Sequence, residues 1–356
     1  MGTRTRRRTM LAALSTVMLV AAASPAQAGY GGPTSSPAAT MAGANSYTVT
    51  PLVTDATGAP TVDPSLVNAW GMSQGPSTPV WVSNAGTGTT TLYRDATPPK
   101  VPLTVTIPGG DPTGQVFNPS AGFLVGTAAA RFIFASEGGT LAGWNTGTTA
   151  VTMHTTPGAV YKGLAIGTSR GATYLYATNF HTGHVDVFDS NWQQVWPRTF
   201  VDKKIPRGFA PFGIQTFGSR VVVTYAKQQA DKHDDLAGPG NGYVDVFSTR
   251  GTLLERLLKR GHLNSPWGLA MAPAGWGAFG GSLLVGNFGD GRINAYNPRS
   301  GHFRGTLATT AGVPVMIDGL WGLLFGNGTS APTNALMFTA GPSGEQHGLW
   351  GVITAA

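Results

Sequence analysis

One motif recurs six times along this chain and limits what it can fold into. Each copy has a glycine-containing apolar strand, a second apolar strand, a polar turn and a third strand. In the first copy these segments are residues 68–72, 80–84 and 90–93. The glycines that anchor the six first strands are Gly71, Gly114, Gly163, Gly213, Gly268 and Gly322, spaced 43 to 55 residues apart. That is the period of a four-stranded propeller blade. A glycine suits the innermost strand, where backbones crowd around a central channel and a side chain would hold them apart.

Each blade needs an outer fourth strand. The sequence offers 103–107, 150–154, 197–201, 253–258 and 303–308 for the first five. The sixth blade runs out of chain, while segment 47–53 has strand character and no blade of its own. Set beside 349–353, it closes the ring and covers an exposed edge. The expected fold is therefore all-β: a six-bladed β-propeller of four-stranded antiparallel blades, closed by an N-terminal strand. Leu253, Leu254, Leu257 and Leu258 recur with a helical period. Their place in the repeat predicts a strand instead.

Composition agrees with that fold. Only 11% of residues are charged, whereas 51 are glycine and 25 proline; this suits a turn-rich β-protein rather than a helical bundle. With 41% hydrophobic residues the chain can bury a large core. It contains no cysteine, which excludes disulfides, a lipoprotein anchor and thiolate metal sites.

The N-terminus reads as a targeting segment. Arg4, Arg6, Arg7 and Arg8 precede an apolar run over 10–23, and Ala26-Gln27-Ala28 has the small-x-small form of a cleavage site. The layout predicts a signal peptide over 1–28, cleaved after Ala28, a flexible leader over 29–46, and a propeller over 47–356. The general secretory route fits this layout better than the twin-arginine route. The expected product is secreted, monomeric and without a membrane anchor. Those four arginines also supply four of the +7 formal charges, so the processed chain would carry +3. No basic run remains beyond Lys203-Lys204, which argues against nucleic-acid binding.

Two catalytic patterns match by coincidence. Gly167-Thr168-Ser169-Arg170-Gly171 fits G-x-S-x-G, but it falls at a turn between antiparallel strands, not at a strand-to-helix elbow. Gly275-Trp276-Gly277-Ala278-Phe279-Gly280 fits G-x-G-x-x-G without a helix to follow. Trp70, Phe212, Trp267 and Trp321 hold equivalent positions in four repeats. They are expected to pack as core between blades.

In a propeller, the loops entering the inner strands and the loops joining strands two and three share one rim of the channel, where ligands usually bind. The entering loops carry Asn68, Asn264 and Asp318. The second-to-third loops carry Asn84, Glu137, Asn179, His181, His184, Asn287, Asp290, Glu345 and His347. Asparagines and aspartates near turns also serve simply to bond local backbone. The longest such loop, 226–242, is the most charged stretch after the N-terminus. Its Asp231, Asp234 and Asp235 are candidate ligands for a divalent cation such as Ca²⁺, with His233 a candidate base. Their spacing matches no established metal loop.

Several stretches together resemble a family of secreted bacterial propellers without an assigned activity, some of whose members end in a surface-sorting segment. They are Asp63-Pro64, Leu66-Val67-Asn68 and Trp70-Gly71; the segments 159–165, 208–212 and 224–247; and the segments 264–270 and 284–294. The chain lacks the sorting segment, so the resemblance implies free secretion. More distantly, the blades are similar to NHL and gluconolactonase-like propellers, which include metal-dependent lactonases and lyases. Two functions from different classes follow. One is a binding scaffold that presents its channel-mouth loops to a small molecule, polymer or protein. The other is a metal-dependent hydrolase or lyase acting on a lactone or ester.

Overall fold

The computed structural model describes residues 44–95, 97 and 99–356. The expected signal peptide and most of the leader lie outside them. Six sheets form a closed ring; blades 1–5 are four-stranded and antiparallel with the sequence-first strand innermost, while in blade 6 Leu320–Phe325 is innermost and the short strand Thr61–Val62 adds in parallel at the outer edge. Blade 4 is the most regular: Phe209–Phe217, Arg220–Lys227, Gly242–Ser248 and Leu253–Lys259 pair in order. Its outer strand is extended despite the helical spacing of its leucines. The Asp245↔Arg256 and Tyr243↔Lys259 pairings need an extended chain, so tertiary pairing overrides local periodicity.

Strand Tyr47–Thr54 closes the ring as expected. It runs antiparallel to Leu349–Ala355, which belongs to blade 6 with Leu320–Phe325 and Leu336–Ala340. Tyr47 and Val53 are fully buried on it. Each such side chain contributes roughly 1.5–3 kcal/mol through the water it sheds.

The anchor glycines hold neighbouring blades together. A Cβ on Gly114 would run into the Leu164 backbone of blade 3, and one on Gly322 would meet the Trp70 carbonyl of blade 1, so the same close approach recurs at the ring junction. Threonine hydroxyls stitch these seams. Thr178 Oγ1 donates to the Phe212 carbonyl at 2.7 Å, and Thr224 Oγ1 donates to the Pro266 carbonyl at 2.5 Å.

One expected strand is absent. Segment 197–201 was to be the outer strand of blade 3, but that role falls to the two-residue strand Gln194–Val195. Trp196, Arg198 and Phe200 have positive φ, a conformation that L-residues adopt in turns and that a strand cannot continue. The turn buries Phe200 between blades 3 and 4, with its ring 5.2 Å from Tyr176 and 5.3 Å from Phe247. The packing of that ring decides the conformation.

Candidate functional site

Every inner strand has a register shift beside its anchor glycine, at the position filled in turn by Trp70, Thr113, Lys162, Phe212, Trp267 and Trp321. A β-bulge re-aims the side chain it carries. The aromatic members meet one another across the ring. Trp70 stacks on Trp321 at 3.8 Å, Trp321 stacks on Phe288 at 3.9 Å, and Phe212 and Trp267 close in at 5.8 and 5.9 Å. They are core, as expected, but they plug the channel from side to side instead of filling the seams between blades. Below the plug the channel narrows to a cavity of about 40 Å³ beside Gln115, Leu164 and Leu323. The upper mouth therefore has an aromatic floor.

Thr113 and Lys162 are the two non-aromatic members of this series, and Lys162, the charged one, forms the centre of the site. Its side chain is 3% exposed. Its ammonium pairs with Glu137 from blade 2 and, at 3.0 Å, with Asp234 Oδ1 from blade 4. It also lies 5.3 Å from the Trp70 ring, a favourable cation–π separation. Burial alone would pull the lysine pKa down, but the Glu137 and Asp234 carboxylates outweigh it and hold the pKa above the usual value. The residue is thus a fixed cation and a poor nucleophile. Burial opposes the charge on Asp234 as well, yet Lys162 keeps that carboxyl below its ordinary range.

A second carboxylate stands opposite. Asn68 donates from Nδ2 to Glu345 Oε2 at 2.6 Å, and its Oδ1 accepts from Trp321 Nε1 at 3.0 Å. Burial raises the pKa of Glu345, and the neighbouring Glu137 and Asp234 charges add to the rise. Asp235 is also pushed up, chiefly by burial. Two carboxylates thus pair with the lysine, and Glu345 and Asp235 stand within its electrostatic reach.

The long loop of blade 4 reaches across this mouth. Gln228 Nε2 donates to the Phe180 carbonyl of blade 3 at 2.5 Å, and Gly238 N donates to Asn264 Oδ1 of blade 5 at 2.6 Å. Of its candidate ligands, Asp234 alone pairs with Lys162. Asp231 is exposed and accepts from His233 N, while Asp235 turns inward toward blade 5. His233 Nδ1 lies 3.1 Å from Asp234 Oδ1. Potential ligand atoms of Glu137, His233 and Asp234 all lie within 4.8 Å of one another.

The remaining rim candidates bind close by. Asn179 Nδ2 donates to Asp186 at 3.0 Å, and Asn287 Nδ2 donates to Asp290 at 3.1 Å and to the His262 carbonyl at 2.8 Å. Asp318 accepts from Ser343 N at 2.8 Å. Asn68 alone among the named asparagines reaches the mouth cluster. Sequence reasoning missed Lys162. The signal was present: a lysine stands where four of the six repeats carry an aromatic ring.

Comparison with known proteins places the chain among relatives. It is 32% identical over 316 residues to the uncharacterized protein R648 of Acanthamoeba polyphaga mimivirus, covering 82% of this chain and 76% of that protein. It is 33% identical over 286 residues to L690 of the same virus, covering 73% and 74%. The chain belongs to the family of these mimivirus proteins. These relatives are viral and do not support the bacterial, secreted setting that the sequence resemblance implied. No family model matches the chain. Among solved structures it is similar to a glucose dehydrogenase, with a TM-score of 0.55 at 12% identity over 87% of this chain and 100% of that one. It is also similar to a catalytically inactive virginiamycin B lyase from Staphylococcus aureus with quinupristin, with a TM-score of 0.52 at 11% identity over 87% and 100%. At such identities the likeness shows the fold alone.

Proposed function

We propose that this propeller is a non-catalytic binding scaffold whose upper channel mouth receives an organic ammonium group. One observation carries the reading: Lys162 already holds a buried ammonium between Glu137 and Asp234, beside the Trp70 ring. The mouth is built to hold a cation by charge and by π-face. Two carboxylates face the one lysine, Asp234 is half-exposed, and Glu345 adds a further carboxyl beside Asn68. A ligand amine would take the outer carboxylates while its apolar part rests on the Trp321–Phe288 floor. Spermidine is a suitable probe. In calorimetric titration it is expected to bind wild type and to weaken about tenfold in Glu345→Gln, roughly 1.4 kcal/mol. Equal affinity for both proteins would count against the mouth.

The metal-dependent hydrolase or lyase remains a second reading, favoured by the closeness of Glu137, His233 and Asp234. Imidazole with carboxylate suits Zn²⁺ or Mn²⁺, whereas Ca²⁺ takes six to eight oxygens. The fit is poor, because the Lys162 ammonium already bridges the two carboxylates. A divalent ion there would face an unscreened positive charge unless the lysine swung away. Stoichiometric metal in the purified protein would favour this reading.

We also propose that residues 1–28 direct export and that the processed protein acts as a monomer. N-terminal sequencing of culture supernatant and light scattering test the two points.

A further inference from the structure

The cleft between blades 3 and 4 lies away from the channel mouth and has a volume of about 500 Å³. That lies within the range of small-molecule pockets. Tyr225 and Asp202 line it. Tyr225 is 4% exposed, and its hydroxyl faces the buried Asp245 carboxyl without a hydrogen bond of good geometry. Buried hydroxyls are normally satisfied, and an orphan calls for an explanation. Asp202 is held by Arg256, and behind it Asp245 is fully buried with both carboxylate oxygens unpartnered. The floor of the cleft is thus polar, with the Tyr225 hydroxyl and Asp202 at its surface and Asp245 and Arg256 behind them.

The walls and rim differ from this floor. Phe209 offers an aromatic face, and Arg207 and Lys232 stand exposed at the edge. Among the described residues neither forms a salt bridge, whereas Lys162 and Arg256 do. His184 adds an imidazole on the blade 3 side. A ligand for this cleft needs hydroxyls for the floor, an apolar ring face for Phe209, and a negative charge for Arg207 and Lys232.

We propose that the blade 3–4 cleft is a second binding site, independent of the channel mouth, for a hydroxylated ring that carries a carboxylate, of the kind a sugar acid provides. The Tyr225 hydroxyl donates to a ligand oxygen. Asp202 accepts from a ligand hydroxyl while keeping Arg256. The carboxylate sits between Arg207 and Lys232, where exposure makes it an orienting contact rather than the main source of affinity.

The test is ligand-observed NMR and calorimetry on the full chain with D-glucuronate, D-glucose and benzoate. Glucose has the hydroxyls without the charge, and benzoate has the charge without the hydroxyls. Glucuronate is expected to bind more tightly than either. The Arg207→Ala/Lys232→Ala double variant should weaken it about tenfold, close to 1.4 kcal/mol. Tyr225→Phe should weaken it several-fold with melting unchanged to within about 2 °C, because the hydroxyl makes no hydrogen bond of good geometry to its neighbour Asp245. Glu345→Gln at the channel mouth should leave it unaltered. Absence of glucuronate binding at 10-fold molar excess and above would overturn the proposal. So would binding that both cleft variants leave intact, or binding that Glu345→Gln abolishes.

Discussion

Two buried charge clusters sit within one protein and solve opposite problems. At the channel mouth a single ammonium lies between Glu137 and Asp234, and every member has a partner. In the blade 3–4 cleft a single guanidinium faces two aspartates. Arg256 pairs with Asp202 and leaves Asp245 at 3.8 Å, beyond hydrogen-bond reach. The consequence differs accordingly. Lys162 keeps its charge because its neighbours outweigh burial. Asp245 is pushed up to about 7 by burial first and the Asp202 charge second. Burial is comparable; the count of opposite charges decides which group titrates near neutral pH.

The comparison can be broken at either end. The largest effect should come from Lys162→Met, which leaves Glu137 facing Asp234 with no cation between them. Removing one partner of a buried ion network costs about 3–5 kcal/mol, read as a lower urea midpoint. A loss under about 1 kcal/mol would mean that the network is a surface pair.

Next is Asp245→Asn. A carboxyl whose folded pKa is raised binds more protons folded than unfolded between pH 4 and about 7. Its burial is therefore harmless below pH 4 and costs stability progressively as pH rises through that window. The asparagine variant should be more stable than wild type at pH 8 by about 2–4 kcal/mol and should lose the slope between pH 4 and 7. The same slope in the variant would assign it to Glu345 and Asp235, which shift in the same direction.

Asp234→Asn should cost less, under about 1 kcal/mol, because Asp234 is half-exposed and Lys162 keeps Glu137. Its effect should appear instead in spermidine affinity. Tyr225→Phe should be smallest in stability, under about 0.5 kcal/mol, since the hydroxyl makes no hydrogen bond of good geometry to Asp245.

Most of the architecture was legible because a propeller repeats itself. Gly114 and Gly322 are forced by inter-blade contact, so the six anchor glycines could be found without any structure. The strand Leu253–Lys259 was recovered by the same logic, against its own helical spacing. Segment 197–201 was misread because the burial of Phe200 between blades is a tertiary demand with no local signature. The site was harder. Clustered acids drew attention to the 226–242 loop, which does cross the mouth, yet only Asp234 reaches the centre. Lys162 stands in the repeat at an aromatic position. A departure from the repeat was a better pointer than a cluster of ligand-type residues. The Asp202–Asp245–Arg256 group could not be read at all, since its members come from the turn between blades and from the third and fourth strands of blade 4.

The Lys162 ammonium, paired with Glu137 and Asp234, is the resident cation of the channel mouth. Melting of wild type and Lys162→Met, each with Mn²⁺ and with chelator, tests this claim most directly, alongside elemental analysis of the wild type. Wild type should be metal-free and indifferent to both additions, while Mn²⁺ should raise the melting temperature of Lys162→Met by filling the space between Glu137, His233 and Asp234. Stoichiometric metal in wild type, with a melting temperature that falls on chelation, would contradict the claim.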